Sequence, residues 1–169
     1  DDDSNKKVVP FCNVKNLEGN IQSSKTGGVL LVGLTLPSFS YHMFSGTVAA
    51  GQLNQHFNDQ VSFLAHLPEH IVSQTTLRLE SGFGSCQMEQ WKDQLDQHPI
   101  LLEDVNDCSV DESWRRSRVC VSTYNATVFL ETMSLGLPTL MFWNPKHWEL
   151  REAAVPYFEL LQNVGIFHT

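Results

Sequence analysis

Apolar and polar positions along the chain follow two periodicities, one typical of strands and one typical of helices. Short apolar or alternating runs predict strands at 28–36, 75–80, 99–105, 118–124 and 138–143. Between them, ranges with helical periodicity predict helices at 52–74, 88–97, 110–117, 125–136 and 146–165. Strands that alternate with helices in this way predict right-handed βαβ units and a parallel sheet.

Local signals place the ends of the helices. The apolar face of the first helix consists of Leu53, Phe57, Val61 and Leu64, at spacings of three and four. Pro68 is expected to end or restart that helix, because proline breaks the backbone hydrogen-bond pattern.

The later helices carry similar signals. Asp111 or a neighbour is expected to begin the third helix. Asn125 is the predicted N-cap of the fourth, and Gly136 its predicted C′ residue. Pro156 is expected to interrupt the last helix.

The fold class that follows is α/β, a Rossmann-like, doubly wound, mostly parallel sheet with helices on both faces. A chain of 169 residues suffices for one ordinary domain, which we place at 28–169. Residues 1–27 are polar and end in "SSKTGG", so they are expected to be a flexible lead-in. The sequence lacks an initial Met and stops just after an apolar run, so we expect truncation at both ends.

Composition narrows the possible partners and the compartment. A net charge of −8 disfavours nucleic acid or an anionic membrane surface as the main partner. The first residues lack the apolar core of a signal peptide, and no apolar run approaches the roughly 20 residues that cross a bilayer. Cys12, Cys86, Cys108 and Cys120 show no CxxC spacing, which favours neither zinc nor a disulfide scaffold. We therefore expect a cytoplasmic protein with reduced thiols, Cys120 being a core residue.

The stretch "STYN", residues 122–125, lies between a predicted strand and a predicted helix. Sheets of this class bind ligands beyond the carboxyl ends of their strands, where free N–H groups and the helix dipole attract anions. Ser122, Thr123 and Thr127 add hydroxyl groups that can bond to phosphate oxygens. The turn is thus a candidate diphosphate site, although the same residue types also cap helices that bind nothing.

Glu131 is an acid inside an otherwise apolar helix, next to Phe129 and Leu130. It cannot complete a capping box, because the residue three positions after Asn125 is Val128. A carboxylate in apolar surroundings costs stability unless it is paired or solvated. Two interpretations stay open: Glu131 accepts sugar hydroxyl groups in the same crevice as the turn, or it faces solvent.

The segment "FLETMSLGLPTLMF" resembles the Glu-x-Met-(small)-x-Gly-x-Pro segment in the C-terminal domain of GT-B glycosyltransferases. Residues 119–168, with "STYNAT" and "FWNPKHWELR", closely resemble transferases of bacterial surface-polysaccharide (O-antigen) biosynthesis, and a weaker match extends back to about residue 28. The resemblance implies the donor-binding half of a GT-B fold.

In such a transferase, a sugar or similar group moves from a nucleotide-activated donor to a surface glycan or lipid-linked acceptor. The resemblance implies that an N-terminal domain upstream of this sequence binds the acceptor. It also implies a cytoplasmic enzyme at the inner face of the membrane. The helix dipole and hydroxyl groups, with no metal or cofactor, are expected to stabilise the leaving diphosphate.

The resemblance also implies site residues. Glu131 would hold the ribose, whereas Thr123 stands where many retaining members carry a second glutamate. The segment after Arg78 departs from the aromatic, Asp-containing stretch expected there. The full donor-binding prediction is Arg78, Ser122, Thr123, Tyr124, Asn125, Thr127, Glu131, Trp143, Asn144 and Glu149.

The segment after the last predicted strand supplies a candidate catalytic residue. His147 is the predicted general base, because an imidazole titrates near neutral pH. His147 and Glu149 are two positions apart and would not share a helix face, so a metal pair is not predicted. Trp143 or Trp148 stacks on a base or sugar, or else packs in the core.

Two alternatives remain beside the transferase. One is a non-catalytic Rossmann-like binding or interaction module, which need not bind nucleotide sugars. The other is a GT-B nucleotide-sugar epimerase, which shares the donor domain and differs only in its products. Because GT-B chemistry takes place between two domains, the 169-residue chain is expected to bind the donor weakly and to transfer nothing.

Overall fold

The computed structural model describes residues 21–35, 50–79, 87–96 and 99–169. The strands in this part of the chain are β1 (Val29–Gly33), β2 (Thr75–Leu79), β3 (Leu101–Glu103), β4 (Val119–Ser122), β5 (Thr139–Phe142) and β6 (Phe167–His168). The α-helices are α1 (Ala50–His66), α2 (Glu69–Val72), α3 (Gln87–Leu95), α4 (Val110–Arg116), α5 (Thr127–Ser134) and α6 (Val155–Asn163). A 3-10 turn, Glu152–Ala154, leads into α6.

The described strands form one parallel sheet in the order β3-β2-β1-β4-β5-β6. The chain winds outward from β1 to β3 and then returns to the other side of β1, where Val29 lies opposite Val119 of β4. This order is doubly wound, so the predicted α/β Rossmann-like class is confirmed. Strand β6 lies outside the predicted strand ranges, since its two residues carry no readable periodicity.

Helices cover both faces of the sheet, as strand β1 shows. Leu30 and Val32 belong to a core cluster with Trp114 of α4 and Phe129 of α5. Leu31 belongs to the cluster on the opposite face, which α1, α2 and α3 supply with Leu64, Val72 and Trp91. Successive residues of this central strand point to opposite faces of the sheet, and all of them are apolar because helices cover both faces.

Helix α1 has the amphipathic face that its pattern predicts. Phe57, Val61 and Leu64 pack in the cluster of the α1–α3 face, and Leu53 contacts the other cluster. Pro68 lies just before α2 as its N-cap, so the predicted break in the helix is confirmed.

Three helix ends refine the prediction. Ala126, and not Asn125, is the N-cap of α5, and its side chain makes no capping hydrogen bond. Gly136 has a φ of 74° just after this helix, which confirms the predicted C′ position. Helix α4 begins after Ser109, which forms a capping box with Glu112.

The helix predicted at 146–165 is wrong over its first part. Residues 146–151 are not helical, and α6 begins only at Val155. Pro156 lies in the first turn of α6, where its missing N–H is not needed. The proline therefore starts this helix and does not interrupt it.

The domain begins earlier than predicted. Ile21 is only 3% exposed, and its N–H donates to the carbonyl oxygen of Leu135 at 2.9 Å. A Cβ atom on Gly28 would lie 1.7 Å from the carbonyl oxygen of Gln74, so this glycine permits close packing. Residues 21–27 are thus part of the packed domain, and the rest of the predicted lead-in lies outside the described residues.

Candidate functional site

The sheet changes its winding direction between β1 and β4. Doubly wound sheets bind ligands beyond the carboxyl ends of their strands at such a switch point. Ser122 is the last residue of β4, and residues 123–126 connect it to α5. The "STYN" turn therefore lies at the carboxyl edge beside the switch point, as the pattern predicted.

A cavity of about 450 Å³ opens at this edge, and we call it the switch-point cavity. Its volume falls within the range of about 300–1,000 Å³ that is common for small-molecule sites. Its described lining consists of Val32, Arg78, Val105, Asn106, Val110, Tyr124, Thr127, Val128 and Glu131. Arg78, Tyr124, Thr127 and Glu131, all predicted donor-binding residues, are thus brought together.

The first turn of α5 borders the switch-point cavity through Thr127 and Val128. Its N-cap, Ala126, offers no side-chain acceptor to the first N–H groups of the helix. Those N–H groups and the positive end of the helix dipole favour an anion at this position. The missing cap makes this helix start better suited to an anion than the predicted Asn125 cap would.

Glu131 lies one turn further along the same helix. Thr127 and Glu131 are four residues apart and share the face that lines the cavity. Glu131 is half-buried and already interacts with other residues of the protein. The structure therefore places Glu131 in the same crevice as the turn, rather than on a fully solvated face.

Arg78 brings positive charge to the opposite wall. Its Nη1 donates to Glu103 Oε1 at 2.5 Å and to Ser113 Oγ at 3.1 Å, and Ser113 also donates to Glu103. Arg116 Nη2 lies 3.1 Å from the other oxygen of Glu103. Two guanidinium groups share this carboxylate, and Arg78 is the one of them that lines the cavity.

Three other residues of the turn region do not line this cavity. Ser122 and Thr123 are fully buried, and their hydroxyl groups donate to the carbonyl oxygens of Tyr124 and Val32 at 3.2 and 3.0 Å. The Thr123 hydroxyl also lies 3.3 Å from Gln60 Oε1. Asn125 is half-buried and lies outside the described lining. The hydroxyl groups of Ser122 and Thr123 are thus used in hydrogen bonds within the protein, which explains why polar residues are buried at these two positions.

Trp143 and Asn144 lie at a different opening. A groove of about 460 Å³ runs between α1 and the carboxyl end of β5, and we call it the β5 groove. Its described lining consists of Asp59, Ser62, Phe63, His66, Phe142, Trp143, Asn144, Pro145 and Thr169. Trp143 is 2% exposed and packs against the rings of Phe158 and Phe167, so its main role is in the core.

His147, which is half-buried, lies close to the buried His56. The rings of His56 and Trp148 pack edge to face with centroids 4.8 Å apart, and the ring of His147 lies 6.1 Å from that of Trp148. Burial lowers the pKa of His56 to about 4; Asp59 opposes this, and His147 lowers the pKa further. Among the described residues, the buried His56 Nε2 and His147 Nδ1 have no hydrogen-bond partner. Any proton transfer by His147 would therefore use its other ring nitrogen.

The remaining predictions concern Glu149, metals and thiols. Glu149 is exposed and lines neither opening among the described residues. No group of three or more potential metal ligands occurs in the described part of the chain, and metal independence stays a prediction. Burial raises the pKa of the Cys120 thiol to about 12, as suits a core cysteine, and Cys108 is also a free thiol.

Some residues of these sites were not predicted. Val105, Asn106 and Val110 line the switch-point cavity from the β3–α4 side. A polar residue just after a predicted parallel strand was the available signal for Asn106. His56 and Gln60, both buried, stand on the apolar stripe of α1, a position where a polar residue is unusual.

The sequence model of the LIC12162 family transferases matches residues 1–169, so the chain belongs to this family. The match confirms the resemblance to transferases, and the doubly wound parallel sheet is the α/β, Rossmann-like class that the sequence predicted. Comparison with curated proteins gives no match. Among the described residues, no helix has both the length and the apolar character needed to cross a bilayer.

One solved structure that is similar to the chain is that of the wall teichoic acid polymerase TagF. The two share 14% sequence identity with a TM-score of 0.34, over 79% of this chain and 28% of the polymerase chain. The chain thus spans just over a quarter of that polymerase.

Proposed function

We propose that this chain is the donor-binding part of a transferase that moves a sugar or similar group from a nucleotide-activated donor to a surface glycan, in the manner of O-antigen biosynthesis. The observation that carries the proposal is the convergence of Arg78, Thr127 and Glu131 on one cavity beside an uncapped helix start. Membership of a transferase family supports the reaction class.

The diphosphate is assigned to the start of α5. The first N–H groups of this helix and the hydroxyl of Thr127 supply hydrogen-bond donors, and the guanidinium group of Arg78, which Glu103 holds in place, lines the same cavity. These groups stabilise the charge that develops on the leaving diphosphate without a metal ion.

The nucleoside is assigned to the rest of the switch-point cavity. Glu131 is placed to accept hydrogen bonds from the ribose hydroxyl groups, as the family resemblance implies. Val105 and Val110 form an apolar wall that suits the face of a base. His147 stays the candidate base for the acceptor hydroxyl in the complete enzyme.

The test is calorimetric titration of the chain with UDP, CDP and GDP and with the corresponding nucleosides. At least one diphosphate is expected to bind, and Glu131→Gln should weaken it by roughly ten- to a hundred-fold, because a charge-assisted hydrogen bond contributes about 1.5–3 kcal/mol. Glu159→Gln, at an exposed position on α6, is the matched control and should change nothing. Failure of all three diphosphates to bind would favour a non-catalytic module, and equal affinity in Glu131→Gln would remove the ribose role.

A further inference from the structure

The β5 groove is a second opening at the carboxyl edge, and the proposed donor site does not use it. It lies between α1 and the end of β5, and its described lining shares no residue with that of the switch-point cavity. Its volume of about 460 Å³ is also in the common range for small-molecule sites, about 300–1,000 Å³.

Two aromatic rings form part of the groove wall. Phe63 of α1 and Phe142 of β5 are both half-buried, with ring centroids 4.8 Å apart and planes inclined by 33°. Both rings are partly exposed, so together they give the groove an apolar wall. Such a surface suits the C–H face of a pyranose ring.

The groove has a hydrogen-bond acceptor on its α1 wall and a hydrogen-bond donor on its β5 wall. Gln55 Nε2 donates to Asp59 Oδ1 at 2.9 Å, which orients the carboxylate and leaves Oδ2 to accept another hydrogen bond. Asn144 Oδ1 accepts the N–H of Lys146 at 3.0 Å, so the Nδ2 group of Asn144 remains to donate. A sugar hydroxyl both donates and accepts, and neighbouring hydroxyls can therefore use both groups.

The charge of the groove points to a neutral ligand. Among the side chains of its described lining residues, that of Asp59 is the one carboxylate, and there is no lysine or arginine. His66 Nδ1 lies 2.7 Å from the carbonyl oxygen of Ser62, which can only accept, so neutral His66 carries its proton on Nδ1 and presents Nε2 as an acceptor. A phosphate would meet two acceptors and no fixed cation, in contrast to the switch-point cavity.

We propose that the β5 groove binds a neutral saccharide ring, with Phe63 and Phe142 against its C–H face and Asp59 and Asn144 bonded to its hydroxyl groups. An acceptor glycan that is held mainly by an upstream domain would reach this groove with one sugar ring, and this part of the assignment rests on the function proposed above. Donor and acceptor sugar then approach the same edge of the sheet from its two faces.

The test is saturation-transfer NMR of the 169-residue chain with methyl α-D-glucopyranoside, methyl α-D-mannopyranoside and N-acetyl-D-glucosamine. At least one of these sugars should receive saturation at its ring protons. Asp59→Asn keeps the shape of the side chain and the hydrogen bond from Gln55 but removes the charged acceptor. It should therefore lower the affinity for that sugar by about five-fold or more. Asp96→Asn, the same substitution at an exposed position after α3, should leave binding unchanged.

Nucleotide titrations separate this inference from the proposed function. A nucleoside diphosphate should not displace the sugar, and Glu131→Gln should not affect it. Absence of saturation transfer from all three sugars, or equal transfer to wild type and Asp59→Asn, overturns the groove assignment even if nucleotides bind. Sugar binding without nucleotide binding supports the groove and overturns the donor site instead.

Discussion

The hydroxyl of Thr123 is buried against the carbonyl oxygen of Val32, whereas Thr127, four residues later, borders the switch-point cavity. Both residues looked like phosphate ligands in the sequence, because both lie near a helix start that follows a strand. Burial separates them: a hydroxyl at 0% exposure bonds within the protein, and one at the cavity wall is available to a ligand.

The same substitution at the two positions should therefore have opposite effects. Thr123→Val should lower the free energy of unfolding by about 1–3 kcal/mol, since it removes a buried hydrogen bond to the Val32 carbonyl oxygen, but should not change affinity for a nucleoside diphosphate. Thr127→Val should leave stability within about 0.5 kcal/mol and weaken the diphosphate roughly ten-fold, with no effect on the nucleoside. Urea unfolding and calorimetry measure both, and the reverse pattern would show that Thr123 is the ligand.

His56 is the second residue whose surroundings determine its chemistry. It is 2% exposed, and its pKa is lowered to about 4 from an ordinary value of 6.5. Between these pH values the unfolded chain binds a proton that native His56 does not, so acidification favours unfolding.

His56→Phe should remove this part of the acid sensitivity. The wild type is expected to lose up to about 3 kcal/mol more stability than the variant between pH 7 and pH 4. The phenyl ring can keep the contact with Trp148, which limits other changes. Urea unfolding at a series of pH values gives the two curves, with His70→Gln at an exposed site as control. Parallel curves for wild type and His56→Phe would mean that His56 has the same pKa in the native and the unfolded state.

At the scale of elements, α4 and α5 begin in contrasting ways. Helix α4 has a complete capping box, in which Ser109 Oγ accepts the N–H of Glu112 at 3.3 Å and the Glu112 carboxylate accepts the N–H of Ser109 at 2.9 Å. The N–H bond from Ser109 also lowers the pKa of Glu112. Helix α5, which borders the cavity, begins at Thr127, and its N-cap Ala126 makes no side-chain capping hydrogen bond.

Ala126→Asp should raise the stability of the protein and lower its affinity for the diphosphate, because both effects arise at this helix start. The new carboxylate caps α5 and should stabilise the protein by about 0.5–1 kcal/mol. It also occupies the place assigned to the diphosphate, so affinity should fall roughly ten-fold or more. Ala126→Ser supplies a cap without charge and should give a similar stability with a smaller loss of affinity. A stabilised Ala126→Asp protein with unchanged affinity would place the phosphates elsewhere.

At the scale of the whole molecule, the parallel order directs every βα connection to one edge. The switch-point cavity and the β5 groove both open there, although Arg78 and Asn144 are far apart in sequence. The amino edge is where the glycines of the 21–28 segment pack close to the ends of α2 and α4. The closely packed glycines and the two openings thus lie at opposite edges of the sheet.

The 169-residue chain should bind a nucleoside diphosphate and transfer no sugar, because the reaction is expected to need a second domain across the cleft. Incubation with nucleotide sugars and a glycan acceptor, followed by mass spectrometry of donor and products, measures this. Release of nucleoside diphosphate at a rate that Glu131→Gln abolishes would show that the chain is sufficient for catalysis.

The sequence by itself determined strands β1 to β5, the helices between them and the order in which they follow. Uninterrupted apolar runs required strands covered on both faces, and their alternation with amphipathic helices required parallel connections. It also determined that Thr127 and Glu131 share a face, because helical spacing is a local property. These features depend on neighbours within a few positions, so a pattern can encode them.

Only the tertiary structure decided which polar groups meet. Glu103 pairs with Arg78 across 25 residues, and Trp143 and Asn144 lie at the β5 groove instead of beside Glu131. Such outcomes depend on strand order and on burial. The hydroxyl groups of Thr123 and Thr127 have similar neighbours in the sequence but different surroundings in the fold. Helix α1 covers Thr123, whereas Thr127 borders a cavity whose other walls come from distant parts of the chain.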